Sequence, residues 1–300
     1  MSAPVESSPG GNPVGNGTAP AFIALVTGAI AMGISPIFVR WADVGPLTSA
    51  FWRVALGLPA LYLWMRMSER DLAPQKRFTR PTLLVGLTLA IDLVLWHMAI
   101  PRTSIANATF FATTAPIWVV VFGWLLFRQQ AGSTTLLGLA LCLSGGGFLI
   151  GESFQIRPEG LTGDALGVAT GVFFGLYFLA VQAARKDAGA ARVTFEASLI
   201  TTVILLIAAL AMEKQMLPVS LAGLGALLGM SWVSHVGGQG LLSVALGKLP
   251  ATFSSLVIFL EAIAAALFAF LLLGEPISLM QGLGGLLIMI GIYVARPPKG

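Results

Sequence analysis

The chain has 300 residues, 56% of them apolar and only 10% charged, with a formal net charge of +4. Soluble domains carry about 25% charged residues, so a water-soluble domain of this size is excluded for want of charge to cover its surface. The bases lie in short gaps between apolar runs, which argues against a nucleic-acid footprint. The one cysteine, Cys142, excludes an intramolecular disulfide and a cysteine zinc site.

What remains is an all-α integral membrane protein. Residues 1–20, MSAPVESSPGGNPVGNGTAP, hold too little apolar surface to fold and predict a disordered N-terminus. They contain no Lys or Arg, so they lack the basic region of a signal peptide. Ten apolar runs follow, at 21–40, 46–67, 82–100, 104–127, 134–151, 163–184, 193–212, 219–245, 250–273 and 277–295. A membrane-crossing helix needs roughly 20 apolar residues, and the gaps leave no room for a soluble domain.

Polar residues inside these runs are the candidates for function, because ionisable groups at membrane depth are costly and turn toward a cavity or a partner. Arg53, within the second run, either snorkels outward or holds a substrate carboxylate or Glu261. In the third run Asp92 and Trp96 are four apart and share a helical face, with His97 turned away. The fourth run carries a buried amide, Asn107, two aromatic residues, Phe110 and Phe111, and Pro116 near its centre, where loss of a backbone bond kinks a helix. Pro36 and Pro59 lie nearer the ends of their runs.

In the sixth run Gly167, Gly171 and Gly175 at intervals of four predict close helix approach, as do the pairs Gly147/Gly151 and Gly225/Gly229. The same run supplies Phe174, Tyr177 and Phe178, rings that either pack or line a cavity able to hold an ammonium group. Trp232, His235 and Gln239 in the eighth run fall at spacings of three and four, again one α-helical face. That stripe and the Asp92/Trp96 pair fit either a shared cavity or hydrogen bonds between helices. Glu261 lies eleven residues into the ninth run from Pro250, about 16 Å along a helix. It serves as a cavity, gating or proton-carrying residue, or it pins two helices together.

Loops rich in Lys and Arg stay cytoplasmic. Twelve bases fall on the side of both termini and four on the other, so both termini are expected in the cytoplasm. The chain also repeats itself. IANATFFATTAPIWVVVFGWLLF from Ile105 aligns with PATFSSLVIFLEAIAAALFAFLL from Pro250 at an offset of 145, and VTGAIAMG resembles ATGVFFGL. Five spans are an odd number, so a second copy enters the membrane inverted, the arrangement of many secondary transporters. The expected units are the disordered cytoplasmic segment 1–20, repeat 1 over 21–151, a periplasmic linker over 152–162, repeat 2 over 163–296 and a cytoplasmic end at 297–300.

GPLTSAFWRVALGLPAL and LEAIAAALFAFLLLGEPISLMQGLGGLLIMIGIYVA resemble the EamA family of the drug/metabolite transporter superfamily, over essentially residues 20–296. Glu261, Gly274, Glu275 and Pro276 carry the most specific part, and within the family the chain looks most like the bacterial YddG-type aromatic amino-acid exporters. One departure is the ending LLFRQQ of the fourth run, where many relatives have an acidic ending. The resemblance implies ten helices in two inverted repeats that export aromatic and other neutral amino acids across the bacterial inner membrane by alternating access. Efflux of drugs or other metabolites is the alternative. No HExxH or GxSxG motif occurs, which leaves an intramembrane enzyme without a recognisable centre, and no ring of charges suggests a channel. The expected partners are a small-molecule substrate and membrane lipids, with a monomeric chain, no nucleic acid, no metal and no cofactor.

Overall fold

The structure is a computed structural model, described over residues 18–70, 77–103, 105–151 and 160–297. The expectations for residues 1–17, for 152–159 of the linker and for 298–300 lie outside the described residues. The described chain is helical throughout, with no strand among the described residues. Its elements are α1 (Thr18–Gly33), α2 (Ser35–Trp41), α3 (Pro46–Ala55), α4 (Leu58–Ser68), α5 (Arg80–Ala99), α6 (Ile105–Thr113), α7 (Ala115–Phe127) and α8 (Ser133–Ile150). There follow α9 (Leu161–Ala184), α10 (Ala190–Met212), α11 (Leu221–Gly229), a π-helical segment (Met230–Gln239), α12 (Gly240–Leu246), α13 (Ala251–Val257), α14 (Phe259–Leu273) and α15 (Leu279–Val294).

Among the described residues, seven helical segments are long and apolar enough to cross a membrane. Two expected boundaries move. Residues 18–20, placed in the disordered N-terminus, already belong to α1. Pro20 sits in its first turn, where no backbone N–H is needed. Leu161 and Thr162, placed in the linker, begin α9.

The molecule is apolar outside and polar within, the reverse of a soluble domain. Leu271, Trp124 and Val219 are largely exposed, whereas Arg53, Asp92, His97, Glu196, His235 and Gln239 are buried. A bilayer favours this distribution, since lipid solvates the apolar exterior and interior polar groups can turn toward partners or a cavity.

Close helix contacts are set by glycine. In α8, Gly138 and Gly145 face the backbones of Gly291 and Gly284 in α15, so closely that an added Cβ would stand 2.6 Å from each facing carbonyl oxygen. Gly167, Gly171 and Gly175 likewise admit Phe111, Thr114 and Trp118 against α9, as their spacing predicts. The expectation does not hold for Gly147 and Gly225, which face open space, or for Gly151, which follows α8 at φ 45°. Gly229 does pack closely, on the ring of Phe38.

Several rods are broken. α1 gives way to α2 at Ile34, α6 to α7 at Thr114 and α13 to α14 at Ile258, and α3 and α4 are separated at Leu56 and Gly57. Pro36, Pro59 and Pro116 each occupy the second residue of the helix that follows a break, where a missing N–H costs least. Ile258 has no proline beside it; the chain tightens there through a bond from Glu261 N to Ile258 O of 2.8 Å, matched by Ile117 N to Thr114 O of 2.9 Å at the other break.

Candidate functional site

Six of the expected residues converge on one cavity. Arg53 from α3, Asp92 and Trp96 from α5, Phe174 from α9, Gln239 from the π segment and Glu261 from α14 line it, together with Met32, Leu93, Ala112 and Thr170. Its volume is about 30 Å³, room for about two waters. Arg53 is held from two directions: Nη1 donates to Ser35 Oγ at 3.0 Å, and the guanidinium lies 5.6 Å from the centre of the Trp96 ring. Its Nε and the Oε1 of Gln239 have no hydrogen-bond partner among the described residues. The cavity therefore brings one guanidinium and two carboxylic acids together beside an indole, with spare polar valence facing it.

The other expected residues lie elsewhere. Tyr177 is buried beside the cavity, its ring stacked on Phe174 at 6.0 Å. Phe178 is fully buried and meets Phe174 edge-on, a core position. Phe111 packs on Gly167. Asn107 Nδ2 donates to Asp164 Oδ1 at 3.0 Å, and Thr103 Oγ1 donates to the same oxygen at 2.6 Å, tying α6 to α9 at one end of the bundle. Pro116 begins α7 just past the break at Thr114.

The stripe of Trp232, His235 and Gln239 is dispersed. Trp232 is 60% exposed and donates from Nε1 to Leu56 O at 3.2 Å, outside the bundle. His235 is buried against α10, its Nε2 at 2.9 Å from Ser198 Oγ. Only Gln239 reaches the cavity. The cause is the π winding, which turns each residue by less than the roughly 100° of an α-helix and over seven residues falls behind by roughly a third of a turn. His97, likewise, is buried beside Ser49, with Nδ1 2.8 Å from Oγ.

A second, larger cavity of about 360 Å³ opens toward the end of the bundle that carries the α2–α3 link. Gly33, Pro36, Thr109, Phe110, Thr113, Ala262 and Ala265 belong to its wall. Gly33, Thr113 and Ala262 are the chain neighbours of Met32, Ala112 and Glu261 in the central cavity, so this vestibule reaches down to it. At its mouth Arg40 Nη1 and Glu275 Oε1 are 3.5 Å apart, both about half exposed. Sequence reasoning missed Arg40. Its signal was the acid of the LGEP ending, which needed a base on the same side of the membrane.

The pair formed by α3–α4 and α10 is fastened at both ends. At one end the Glu213 carboxylate accepts from Leu47 N at 2.8 Å and from Thr48 N at 2.9 Å, capping α3 across the molecule. Gly45 permits this, since a Cβ there would collide with that carboxylate. Beside it Asp43 Oδ2 accepts from Ser220 N at 2.8 Å, and the Ser220 contacts hold the Asp43 carboxyl below its usual range. At the other end Arg192 pairs with Glu69 and, at 3.2 Å, with Glu196, whose Oε2 accepts from Phe78 N at 2.8 Å.

The sequence profile of the EamA-like transporter family matches residues 19–151 and again residues 161–296. Similar proteins include an uncharacterized transporter of Methanothermobacter thermautotrophicus, 22% identical over 91% of this chain and 85% of that one, and an uncharacterized transporter of Archaeoglobus fulgidus, 25% identical over 91% and 94%. The threonine/homoserine exporter RhtA of Escherichia coli is 24% identical over 81% of this chain and 77% of its own. A solved crystal structure superposes with a TM-score of 0.79 at 17% identity, over 93% of this chain and 97% of that one, a likeness that carries the fold alone. None of these relatives is described as an aromatic amino-acid exporter.

Proposed function

The chain belongs to the EamA-like transporter family, and we propose that it exports neutral amino acids across a bacterial inner membrane by alternating access. The observation that carries this reading is the central cavity, whose lining brings Arg53, Asp92 and Glu261 together with Trp96. A zwitterion presents one negative and one positive group. Its carboxylate is matched by the planar guanidinium; its ammonium by a carboxylate and an aromatic face. A sugar would leave these charges unanswered.

Ten spans in two inverted halves accommodate the rest. The seven long segments are joined by the broken rod Pro46–Ser68, the π-interrupted rod Leu221–Leu246 and the shorter α15. The twofold match of the family profile supports a duplication, as does the helix pairing. α5 packs on α9 as the π segment and α12 pack on α1, and α6 and α7 pack on α9 as α13 and α14 pack on α1. α8 meets α15 through glycines that exchange places under the same operation. The distribution of bases between the loops favours a cytoplasmic position for both termini and the Glu69–Arg192 end. The vestibule then faces outward.

The central cavity is too small for an amino acid, and the vestibule, at about 360 Å³, lies in the range of small-molecule sites. Admission of substrate to the charged centre therefore requires the walls to move. Among neutral amino acids the RhtA likeness favours small hydroxylated ones, while Phe174 and Trp96 leave room for the aromatic class. The alanine-rich vestibule wall favours apolar drugs or metabolites as the second reading. Counterflow in proteoliposomes with labelled threonine, phenylalanine, tryptophan and a cationic dye separates these: saturable exchange of at least one amino acid is expected. Exchange of the dye alone overturns the amino-acid assignment, and flux that never saturates overturns the carrier mechanism.

A further inference from the structure

A third cavity, of about 540 Å³, lies at the Glu69–Arg192 end, between α4, the start of α5 and α10. Three arginines line it that the transport reading does not use: Arg66 in the last turn of α4, Arg70 just past its end and Arg77 just before α5. Arg192 is already answered by Glu69 and Glu196, whereas Arg66, Arg70 and Arg77 make no hydrogen bond or ion pair among the described residues. Free guanidinium groups around one cavity make a receptor for a phosphate-type anion, which they bind through paired N–H donors.

The remaining wall is apolar. Tyr62, Met65, Phe78, Phe195 and Leu199 form it, with the Tyr62 and Phe195 rings 5.4 Å apart. The apolar surface continues down α4, one turn below Arg66, through Tyr62 and Leu63, which are 49% and 59% exposed. A cationic rim at the helix ends above an apolar strip matches a molecule whose anionic head sits at the interface and whose tails run along the helix. A free anion uses the rim and leaves the strip uncovered. We infer that this cavity binds the headgroup of an anionic glycerophospholipid, its phosphate held by Arg66, Arg70 and Arg77. The site is separate from the central cavity, and its occupancy does not depend on which solute is carried.

The test uses the full chain in detergent, titrated with phosphatidylglycerol, phosphatidylcholine of the same chains, or sodium phosphate, and followed by thermal unfolding and native mass spectrometry. Phosphatidylglycerol is expected to half-saturate at a concentration about tenfold below phosphatidylcholine, and the combined R66Q, R70Q and R77Q variant to lose that preference. The control variant R102Q/K214Q, altered at the opposite end, is expected to keep it. Where the triple variant departs from the wild-type elution profile, each single variant stands in, with an expected loss of roughly threefold. Undiminished preference in these variants overturns the site. Protection by sodium phosphate equal to that by phosphatidylglycerol overturns the lipid assignment.

Discussion

Arg53 is the residue on which the interior charge balance rests. It is 5% exposed, and the two acids that share its cavity have no other cation in that lining. Removing one member of a buried charged group leaves the rest uncompensated, at a cost of about 3–5 kcal/mol. Arg53→Met is therefore expected to lower the melting temperature and the yield of folded protein. Asp92→Asn in the same background restores much of the loss, because one stranded charge has been removed. A single variant as stable as wild type would show that the three groups do not act together. Glu261→Gln separates two roles. As a proton carrier the residue can be neutralised with downhill counterflow retained and pH-driven accumulation altered; as a pin between helices, its loss shows first as loss of folded protein. These residues were legible in the sequence because an acid or base within an apolar run has few explanations. Trp232 and His235 were not, because their direction depends on a π winding that no residue pattern announced.

At the scale of elements, sequence runs and helices coincide to within a few residues, as with 82–100 against Arg80–Ala99 and 134–151 against Ser133–Ile150. Hydropathy alone specifies this much, since the bilayer fixes the length of an apolar segment. The breaks at Ile34 and Thr114 are announced by Pro36 and Pro116 two residues on, whereas the break at Ile258 is a tertiary matter with no local signal. The departure in LLFRQQ, in contrast, has a definite structural consequence. α14 ends on Gly274 at φ 69°, and α7 ends on Arg128 at φ 54° in the equivalent left-handed cap. Glycine adopts that conformation without strain, whereas a side chain there costs about 1–2 kcal/mol. Arg128→Gly is expected to stabilise the protein by about 1 kcal/mol, read as a rise of about 2–4 °C in melting temperature. Gly274→Ala is expected to shift it the other way. An unchanged melting temperature in both would mean that the caps relax when substituted.

For the molecule as a whole, the question is which parts can move. The α3–α4/α10 pair is clasped at each end by a carboxylate, and α8 and α15 meet glycine to glycine, so neither seam has slack. The Asp43 contact reinforces one clasp across the neutral range. A carboxyl held below its unfolded value stabilises above that value, and the contribution fades only as pH falls through the lower folded one. The slack lies in the broken rods. The breaks at Ile34, Thr114 and Ile258 stand at the level of the central cavity, beside Met32, Ala112 and Glu261. Beyond them α2, α6 and α14 surround the vestibule and carry the half-exposed Arg40–Glu275 pair to its mouth. Under the proposed mechanism, swinging these three segments would close the vestibule without disturbing either seam. In a chain whose Cys142 is replaced by alanine, a short bismaleimide bridge between cysteines at 40 and 275 is expected to cut counterflow by about tenfold or more, while a bridge between cysteines at 43 and 215, at the clasped end of the α3–α4/α10 pair, leaves it within about twofold. Gln215 Nε2 already donates to Asp43 O at 2.8 Å, so the second bridge adds a fastening where one exists. The reverse result, arrest by the bridge at the clasp and indifference to the one at the mouth, would place the motion in the α3–α4/α10 seam and make the broken rods fixed kinks.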